Sequence, residues 1–282
     1  MISGLTFRLA TNLYSRDTRF IYELIQNAED TEYSRAQANG LTPYVSFSIH
    51  PNQIIVDSNE DGFEVDHVKA ICKIGGSTKS TVHGYIGEKG IGFKSVFKIA
   101  KKVHIQSGPF SFSFEYTRDS EDSGLGMVTP MDEDHLTLPA NVQTRMRLTL
   151  LDSTNFDERL RELQDMPESL LLFLSKLRTI YVNVYSEHAH MSQTTYQYSE
   201  SEDRRINSVK KTTTINSVST EDIKRFQILQ KEIRDLPSDP ARRLTRDATV
   251  VLAFPINAAG TSVIESQQVF AYLPLRWAGF KV

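Results

Sequence analysis

The sequence predicts an α+β protein in which a largely antiparallel sheet is covered by helices on one face. An amphipathic helix over 18–31 comes first, because its apolar residues recur at helical spacing. Strands at 44–49 and 110–116 alternate apolar with polar residues, as half-buried strands do. The order α, β, β, α, loop, α, β, β, β, followed by more helices and strands, favours this class over an alternating parallel sheet.

The composition is that of a folded protein in a reducing compartment. The 282 residues are 39% hydrophobic and 24% charged, which is enough for a proper core. The net charge of −3 argues against binding nucleic acid through bulk charge. The single cysteine, Cys72, excludes an internal disulfide. Because no apolar run is long enough to span a membrane, the expected location is the cytoplasm or the nucleus.

Three segments are expected along the chain. Residues 1–185 hold the main domain, and the polar stretch 186–244 is interpreted as an insertion or linker with an exposed helix over 221–236. Residues 245–282 are expected to be the incomplete start of a second α/β domain. Shorter helices are predicted at 156–163 and 167–177.

The helix over 18–31 carries a polar stripe along one border of its apolar face. Glu23, Asn27 and Asp30 stand at i, i+4 and i+7 and therefore share that stripe. A solvated surface is the ordinary interpretation of such a stripe. Asn27, however, is a mediocre helix former in the middle of the helix, and a locally unfavourable choice of this kind indicates a function.

A glycine-rich segment precedes a second apolar pattern. Four glycines fall within 84–92, and 93–100 then has apolar residues close to helical spacing. Free backbone N–H groups beside the positive end of a helix bind phosphate. The spacing matches neither the P-loop nor the dinucleotide fingerprint, and a tight turn before a core helix would use the same glycines. The hydroxyl-rich stretch 75–83 has the composition of a mobile lid.

Together these features supply the groups that a nucleotide site needs. Such a site requires phosphate donors, an oxygen ligand for Mg²⁺, a carboxylate for the adenine amine and a base that orients water. Magnesium takes few protein ligands, so one Asn carbonyl with phosphate oxygens would suffice.

The motifs resemble the GHKL ATPase superfamily, which includes heat-shock protein 90 chaperones and histidine kinases. Glu23-Leu-Ile-Gln-Asn27-Ala-Glu-Asp30, Asp57-Ser-Asn-Glu-Asp-Gly62-Phe63, Gly87-Glu-Lys-Gly-Ile-Gly-Phe93 and Gln143-Thr144 occur in the superfamily's order. The first and third are most similar to sacsin-like ATPases of fungi and plants. The resemblance covers about 5–180 and implies a Bergerat-type α/β sandwich that binds ATP and Mg²⁺.

The resemblance also implies roles for individual residues. Glu23 would be the general base, Asn27 the Mg²⁺ ligand and Asp30 a support for the adenine end. Thr144 would hydrogen-bond adenine or its partner carboxylate. The phosphate loop and lid would be formed by Gly87, Glu88, Lys89, Gly90, Ile91, Gly92 and Phe93, with Ser77, Thr78 and Lys79.

The second motif departs from the superfamily's Asp-x-Gly-x-Gly pattern. The position four residues before Gly62 is Ser58, while Asp57 lies one earlier and Asn59 one later. Either a one-residue bulge aims Asp57 at adenine, or Ser58 or Asn59 reads the base through water. The resemblance favours Asp57.

The expected function is slow Mg²⁺-dependent ATP hydrolysis that closes a lid in a chaperone-type module. The alternative is a nucleotide-gated interaction module without turnover. Expected partners are ATP or ADP, a protein client and a second copy of the chain in a nucleotide-dependent homodimer. Arg276 and Lys281 are candidates for a cation that contacts the γ-phosphate. A histidine kinase is disfavoured, because only about twenty residues precede Glu23.

Overall fold

The computed structural model describes most of the chain outside several segments. The described residues are 19–72, 93–115, 130–152, 154, 156, 160, 161, 163, 166–187, 189–202, 205–235, 237, 247–264, 266–271 and 273–281. The helices with complete bounds are α1 (Arg19–Glu29), α2 (Ser34–Ala38), α3 (Val65–Cys72) and two 3-10 helices, η1 (Phe93–Lys98) and η2 (Glu168–Phe173).

Strands dominate the described part of the chain. They are β1 (Tyr44–His50), β2 (Gln53–Ser58), β3 (Ala100–Ser107), β4 (Phe110–Glu115), β5 (Met131–Asp132), β6 (Thr144–Leu150), β7 (Thr179–Tyr185), β8 (His190–Glu200), β9 (Ile206–Ile215), β10 (Val218–Ile233), β11 (Ala248–Ile256), β12 (Ser266–Ala271) and β13 (Leu273–Lys281). The first eleven form one sheet in the order β11-β10-β9-β8-β7-β1-β2-β6-β3-β4-β5, and β12 pairs with β13. The β1–β7 pair is parallel, whereas the other pairs are antiparallel.

The core lies against one face of the central strands. Alternate residues of β1, namely Val45, Phe47 and Ile49, are fully buried. The apolar stripe of α1 joins the same cluster, where Ile25 is fully buried and Leu24 nearly so. Strand alternation sends the residues between them to the opposite face, which is only half-buried.

The predicted fold class is wrong. The structure is a large eleven-stranded mixed sheet with few helices, and not an α+β sandwich with a helical layer on one face. The sequence pattern misleads mainly over 190–233, where the residues are polar but rich in threonine, serine and isoleucine. Few residues of these strands, Tyr196 and Val209 among them, reach the core, and a strand that is so largely exposed shows little apolar alternation, so its polarity resembles that of a linker.

Three predictions of local structure are also wrong. The helix expected over 221–236 is part of strand β10, which pairs with β9 over 218–227 and with β11 over 225–233. The helices expected at 93–100 and 167–177 are reduced to the short 3-10 helices η1 and η2. The predicted boundaries at 185 and 245 stay predictions. Within the described ranges, no helix is long and apolar enough to cross a membrane.

Candidate functional site

Helix α1 presents the residues predicted to act on phosphate and Mg²⁺. Glu23 is half-buried, Asn27 is exposed, and Asp30 directly follows the last helical residue. Glu23 and Asn27 are four residues apart and share one side of the helix. Packing of the apolar stripe in the core therefore determines where this side faces.

Three hydroxyl side chains lie in a row across neighbouring strands beside the core. Ser58 of β2 is paired directly with Thr144 of β6, and Thr144 is paired directly with Ser107 of β3. Their residues are 6%, 4% and 0% exposed, respectively. Buried hydroxyl groups need hydrogen-bond partners, and this row has them.

Glu60 is the acceptor at the end of this row. The Phe63 N–H donates to Ser107 Oγ at 2.7 Å, and Ser107 Oγ lies 2.5 Å from Thr144 Oγ1. Thr144 in turn donates a short hydrogen bond to Oε1 of Glu60. Glu60 is only 2% exposed, and its second oxygen, Oε2, is buried and has no hydrogen-bond partner among the described residues.

The electrostatics of Glu60 follow from this burial. Burial raises the pKa of the Glu60 carboxyl, and the hydroxyl groups of Thr144 and Thr31 oppose that rise. A buried oxygen without a donor is costly, so a ligand that brings an N–H group to Oε2 would be stabilised there.

A chain of hydrogen bonds joins Glu60 to the end of α1. The Tyr33 hydroxyl donates to the Ala28 carbonyl at 2.8 Å and lies 3.3 Å from Ser58 Oγ. Ser58 Oγ accepts the backbone N–H of Glu60 at 3.2 Å. Since Ala28 follows Asn27 directly, the carboxylate and the polar side of α1 belong to one connected region.

The loop that carries Glu60 is held on both sides. Asp61 accepts hydrogen bonds from the backbone N–H groups of Ser34 and Arg35, at 2.9 and 2.8 Å. Its own N–H donates to the Glu32 carbonyl at 2.8 Å. Gly62 follows with φ +94°, a left-handed conformation that other residues adopt only with strain.

Asp57, the residue favoured from the sequence to read adenine, lies on the other face of the sheet. Strand β2 buries Ser58, so strand alternation turns Asp57 away from the face where α1 packs. Both oxygens of Asp57 are engaged by Arg145, whose Nε and Nη2 donate at 2.7 Å each. This ion pair joins β2 to β6.

Asn59, the third candidate in this motif, has a structural role. Its Oδ1 accepts the Tyr44 N–H and its Nδ2 donates to the Thr42 carbonyl, both at 2.9 Å. These two bonds tie the loop to the start of β1. The structure therefore brings Glu60, Thr144 and Gly62 together near α1, and directs Asp57 and Asn59 elsewhere.

The lid and phosphate-loop candidates lie outside the described residues. They are Ser77, Thr78, Lys79, Gly87, Glu88, Lys89, Gly90, Ile91 and Gly92. Phe93 begins η1, which packs against α1. Arg276 and Lys281 lie on β13. In the described ranges, no group of three or more His, Cys, Asp or Glu side chains could hold a metal ion.

Sequence reasoning missed Glu60, although a signal was present. The buried residues of β2 are Ile54, Val56 and Ser58, which alternate along the strand. Glu60, two residues after Ser58, is the next position in that alternation. Counting in steps of two along the strand would have selected Glu60 in preference to Asp57.

Comparisons with known proteins show one local similarity. The chain is 40% identical over 122 residues to Protein NO VEIN of Arabidopsis thaliana, which covers 43% of this chain. The matched region is 4% of the length of that relative, so this chain corresponds to a small part of it. No protein-family profile matches the chain.

Proposed function

We propose that this chain is an ATP-binding module with slow Mg²⁺-dependent hydrolysis, of the heat-shock protein 90-like, sacsin-like type. The observation that carries the proposal is the buried Glu60 carboxylate: Oε1 is bonded to Thr144, and Oε2 has no partner in the part of the chain that the structure describes. A buried acceptor of this kind, close to a helix with Glu23 and Asn27, fits a purine that carries an amine.

The proposal assigns the adenine-reading role to Glu60 in place of Asp57. The exocyclic amine of adenine is a hydrogen-bond donor and would satisfy Oε2, while Thr144 holds Oε1 in position. A purine with a carbonyl in place of this amine would bring its oxygen against Oε2, so two hydrogen-bond acceptors would face each other. Selectivity for an amine over a carbonyl follows from that difference.

Helix α1 supplies the phosphate end of the proposed site. Asn27 is exposed and offers an amide oxygen as the Mg²⁺ ligand, and Glu23, four residues earlier, would orient the attacking water. Bound Mg²⁺ neutralises charge on the phosphate oxygens. The glycine-rich residues 84–92 would donate backbone N–H groups to the phosphates.

The base-reading test compares ATP with inosine triphosphate, which has a carbonyl in place of the amine. Calorimetry on the wild type should show tighter binding of ATP, and Glu60→Ala should remove that preference. Asp57→Ala is the matched control, because it deletes a carboxylate three residues away on the opposite face and should retain the preference. Loss of selectivity in Asp57→Ala but not in Glu60→Ala would overturn the assignment.

Phosphate release separates the proposed ATPase from an interaction module that binds without turnover. Glu23→Ala should bind Mg²⁺-ATP and release no phosphate above background, whereas Asn27→Ala should lose Mg²⁺-dependent binding. If the wild type releases no more phosphate than Glu23→Ala, the module without turnover is the correct function. If the wild type does not bind ATP at millimolar concentration, both are wrong.

The remaining parts of the proposal concern partners and location. Lid closure on nucleotide would change the surface that a protein client or a second copy contacts. The single cysteine suits the reducing cytoplasm or nucleus. Crosslinking with and without a non-hydrolysable ATP analogue tests the nucleotide-dependent homodimer.

A further inference from the structure

Glu29, on the same helix as the proposed magnesium ligand, makes contacts that the proposed function does not use. Its carboxylate accepts hydrogen bonds from three consecutive backbone N–H groups, those of Ser175, Lys176 and Leu177. The donor–acceptor distances are 2.6, 2.9 and 2.9 Å. The hydroxyl of Ser175 donates to the same carboxylate at 2.5 Å.

The segment that receives Glu29 is the turn between η2 and β7. Its N–H groups point to Glu29, and its carbonyls point to Arg178, which donates to the Leu174, Ser175 and Leu177 carbonyls. Arg178 also lies over the Tyr198 ring, 4.8 Å from its centre. The turn is therefore held on both sides and forms a rigid receptor for the carboxylate.

Glu29 and Asn27 lie on opposite borders of the apolar stripe of α1. At about 100° per residue, their positions differ by about 200° around the helix axis. The stripe between them is buried in the core, with Leu24 and Ile25 at 2% and 0% exposure. Apolar packing alone allows a helix to rotate or slide by a fraction of a turn, whereas three directional bonds to one carboxylate prevent it.

We propose that Glu29 is a positioning residue: it anchors the end of α1 to the 175–177 turn and thereby sets where Asn27 presents its amide oxygen to Mg²⁺. This inference rests on the proposed function for the role of Asn27. It adds that metal-dependent nucleotide affinity depends on a carboxylate that touches neither metal nor nucleotide. Mutation of a residue that orients a metal ligand without touching the metal commonly lowers metal affinity by about 10- to 100-fold.

Glu32 provides a matched control. It also contacts the turn, through the ammonium group of Lys176 at 2.8 Å, but its side chain is 71% exposed. An exposed pair of this kind contributes little to position or stability. Aspartate at either position keeps the charge and shortens the side chain by one methylene group, so each variant weakens one contact with the same turn.

The experiment measures binding of a non-hydrolysable ATP analogue to the full chain, with Mg²⁺ and with EDTA, for wild type, Glu29→Asp and Glu32→Asp. The expected result is that Glu29→Asp lowers the affinity gained from Mg²⁺ by about tenfold and changes metal-free affinity by less than about twofold. Glu32→Asp should match the wild type. Equal losses with and without Mg²⁺ in Glu29→Asp, or no loss at all, would overturn the proposal.

Amide hydrogen exchange of the nucleotide-free chain separates failure of this inference from failure of the proposed function. Amides of 22–29 should exchange faster in Glu29→Asp than in Glu32→Asp, with the amides of β1 unchanged. If the wild type does not bind the analogue, faster exchange still supports the anchor while the nucleotide function fails. Equal exchange in the two variants overturns the anchor itself.

Discussion

Asp57 and Arg145 face each other directly across β2 and β6 and share two charged hydrogen bonds of 2.7 Å. One position further along, on the other face of the same two strands, Ser58 is paired with Thr144. The ion pair thus lies behind the candidate base site and holds the two strands that form it in register.

The first prediction concerns this ion pair. Asp57→Asn should lower the free energy of unfolding by about 2 kcal/mol, because it leaves the Arg145 guanidinium, 17% exposed, with a weaker acceptor. The control is Asp152→Asn, whose exposed pair with Lys101 is worth about 0.5 kcal/mol or less. Urea unfolding monitored by circular dichroism measures both. A cost for Asp57→Asn no larger than that for Asp152→Asn would contradict the prediction.

The second prediction concerns Glu60 and pH. Because burial raises the pKa of Glu60 above its ordinary value of 4.5, the folded protein retains this proton to higher pH than the unfolded chain. The ionisation of Glu60 therefore lowers the free energy of unfolding as pH rises from about 4.5 through the pKa of Glu60 in the folded state. The decrease is up to about 1.4 kcal/mol per pH unit. Above that pKa the loss is complete.

Glu60→Gln removes this ionisation, so its stability relative to the wild type should rise with pH across the same interval and then level off. Urea titrations at several pH values between 4 and 8 measure the difference. Glu64→Gln removes an exposed carboxylate from the same segment and is the control for the change in net charge. A difference between Glu60→Gln and wild type that falls with pH would show that the raised pKa is incorrect.

The third prediction removes the donor to Glu60. Thr144→Val is similar in shape but lacks the hydroxyl, so Oε1 of Glu60 loses its donor and Ser107 Oγ loses its hydrogen bond to Thr144. The expected cost is about 1–3 kcal/mol in the free energy of unfolding, with weaker ATP binding. Thr149→Val, further along β6, is the control. Similar ATP affinities in the two variants would argue against a role for Thr144 in the base site.

The fourth prediction uses two glycines with left-handed conformations. Gly62 has φ +94° and Gly40 has φ +69°, so alanine should cost about 1 kcal/mol at either position. An added Cβ at Gly62 would lie 3.7 Å from Ser107 Oγ, which is ordinary contact, so strain and not collision is expected. Only Gly62→Ala should also weaken ATP binding, because Gly62 is two residues from Glu60 and lies beside Ser107, whereas a Cβ added at Gly40 meets no atom within 4 Å. Calorimetry that shows equal effects of the two on ATP affinity would contradict this.

The fifth prediction concerns the turn between β9 and β10. Asn216 and Ser217 form a two-residue turn with φ 49° and 66°, and such turns favour Asn followed by Gly. Ser217→Gly should therefore raise the free energy of unfolding by about 0.5 kcal/mol. Asn216→Gly should yield less, since asparagine tolerates this conformation. A midpoint of thermal unfolding that is lower for Ser217→Gly than for the wild type would argue against the turn.

Local patterns predicted much of the central sheet. The strands expected at 44–49 and 110–116 are present as β1 and β4, because each alternates apolar and polar residues beside a core. The helix with Glu23 and Asn27 is also present as α1. The strand β10 was missed because Thr220, Glu221 and Asp222 lie on a strand exposed to water, where no apolar pattern marks the period.

The sequence by itself determined which residues of α1, β1 and β2 face the core. That information is local, since side-chain direction repeats every 3.6 residues in a helix and every two in a strand. What only the tertiary structure decided is which polar groups meet across long separations. Thr144 donates a hydrogen bond to Glu60, Arg145 forms an ion pair with Asp57, and Glu29 accepts hydrogen bonds from 175–177. Strand register and helix packing, and not sequence spacing, bring these partners together.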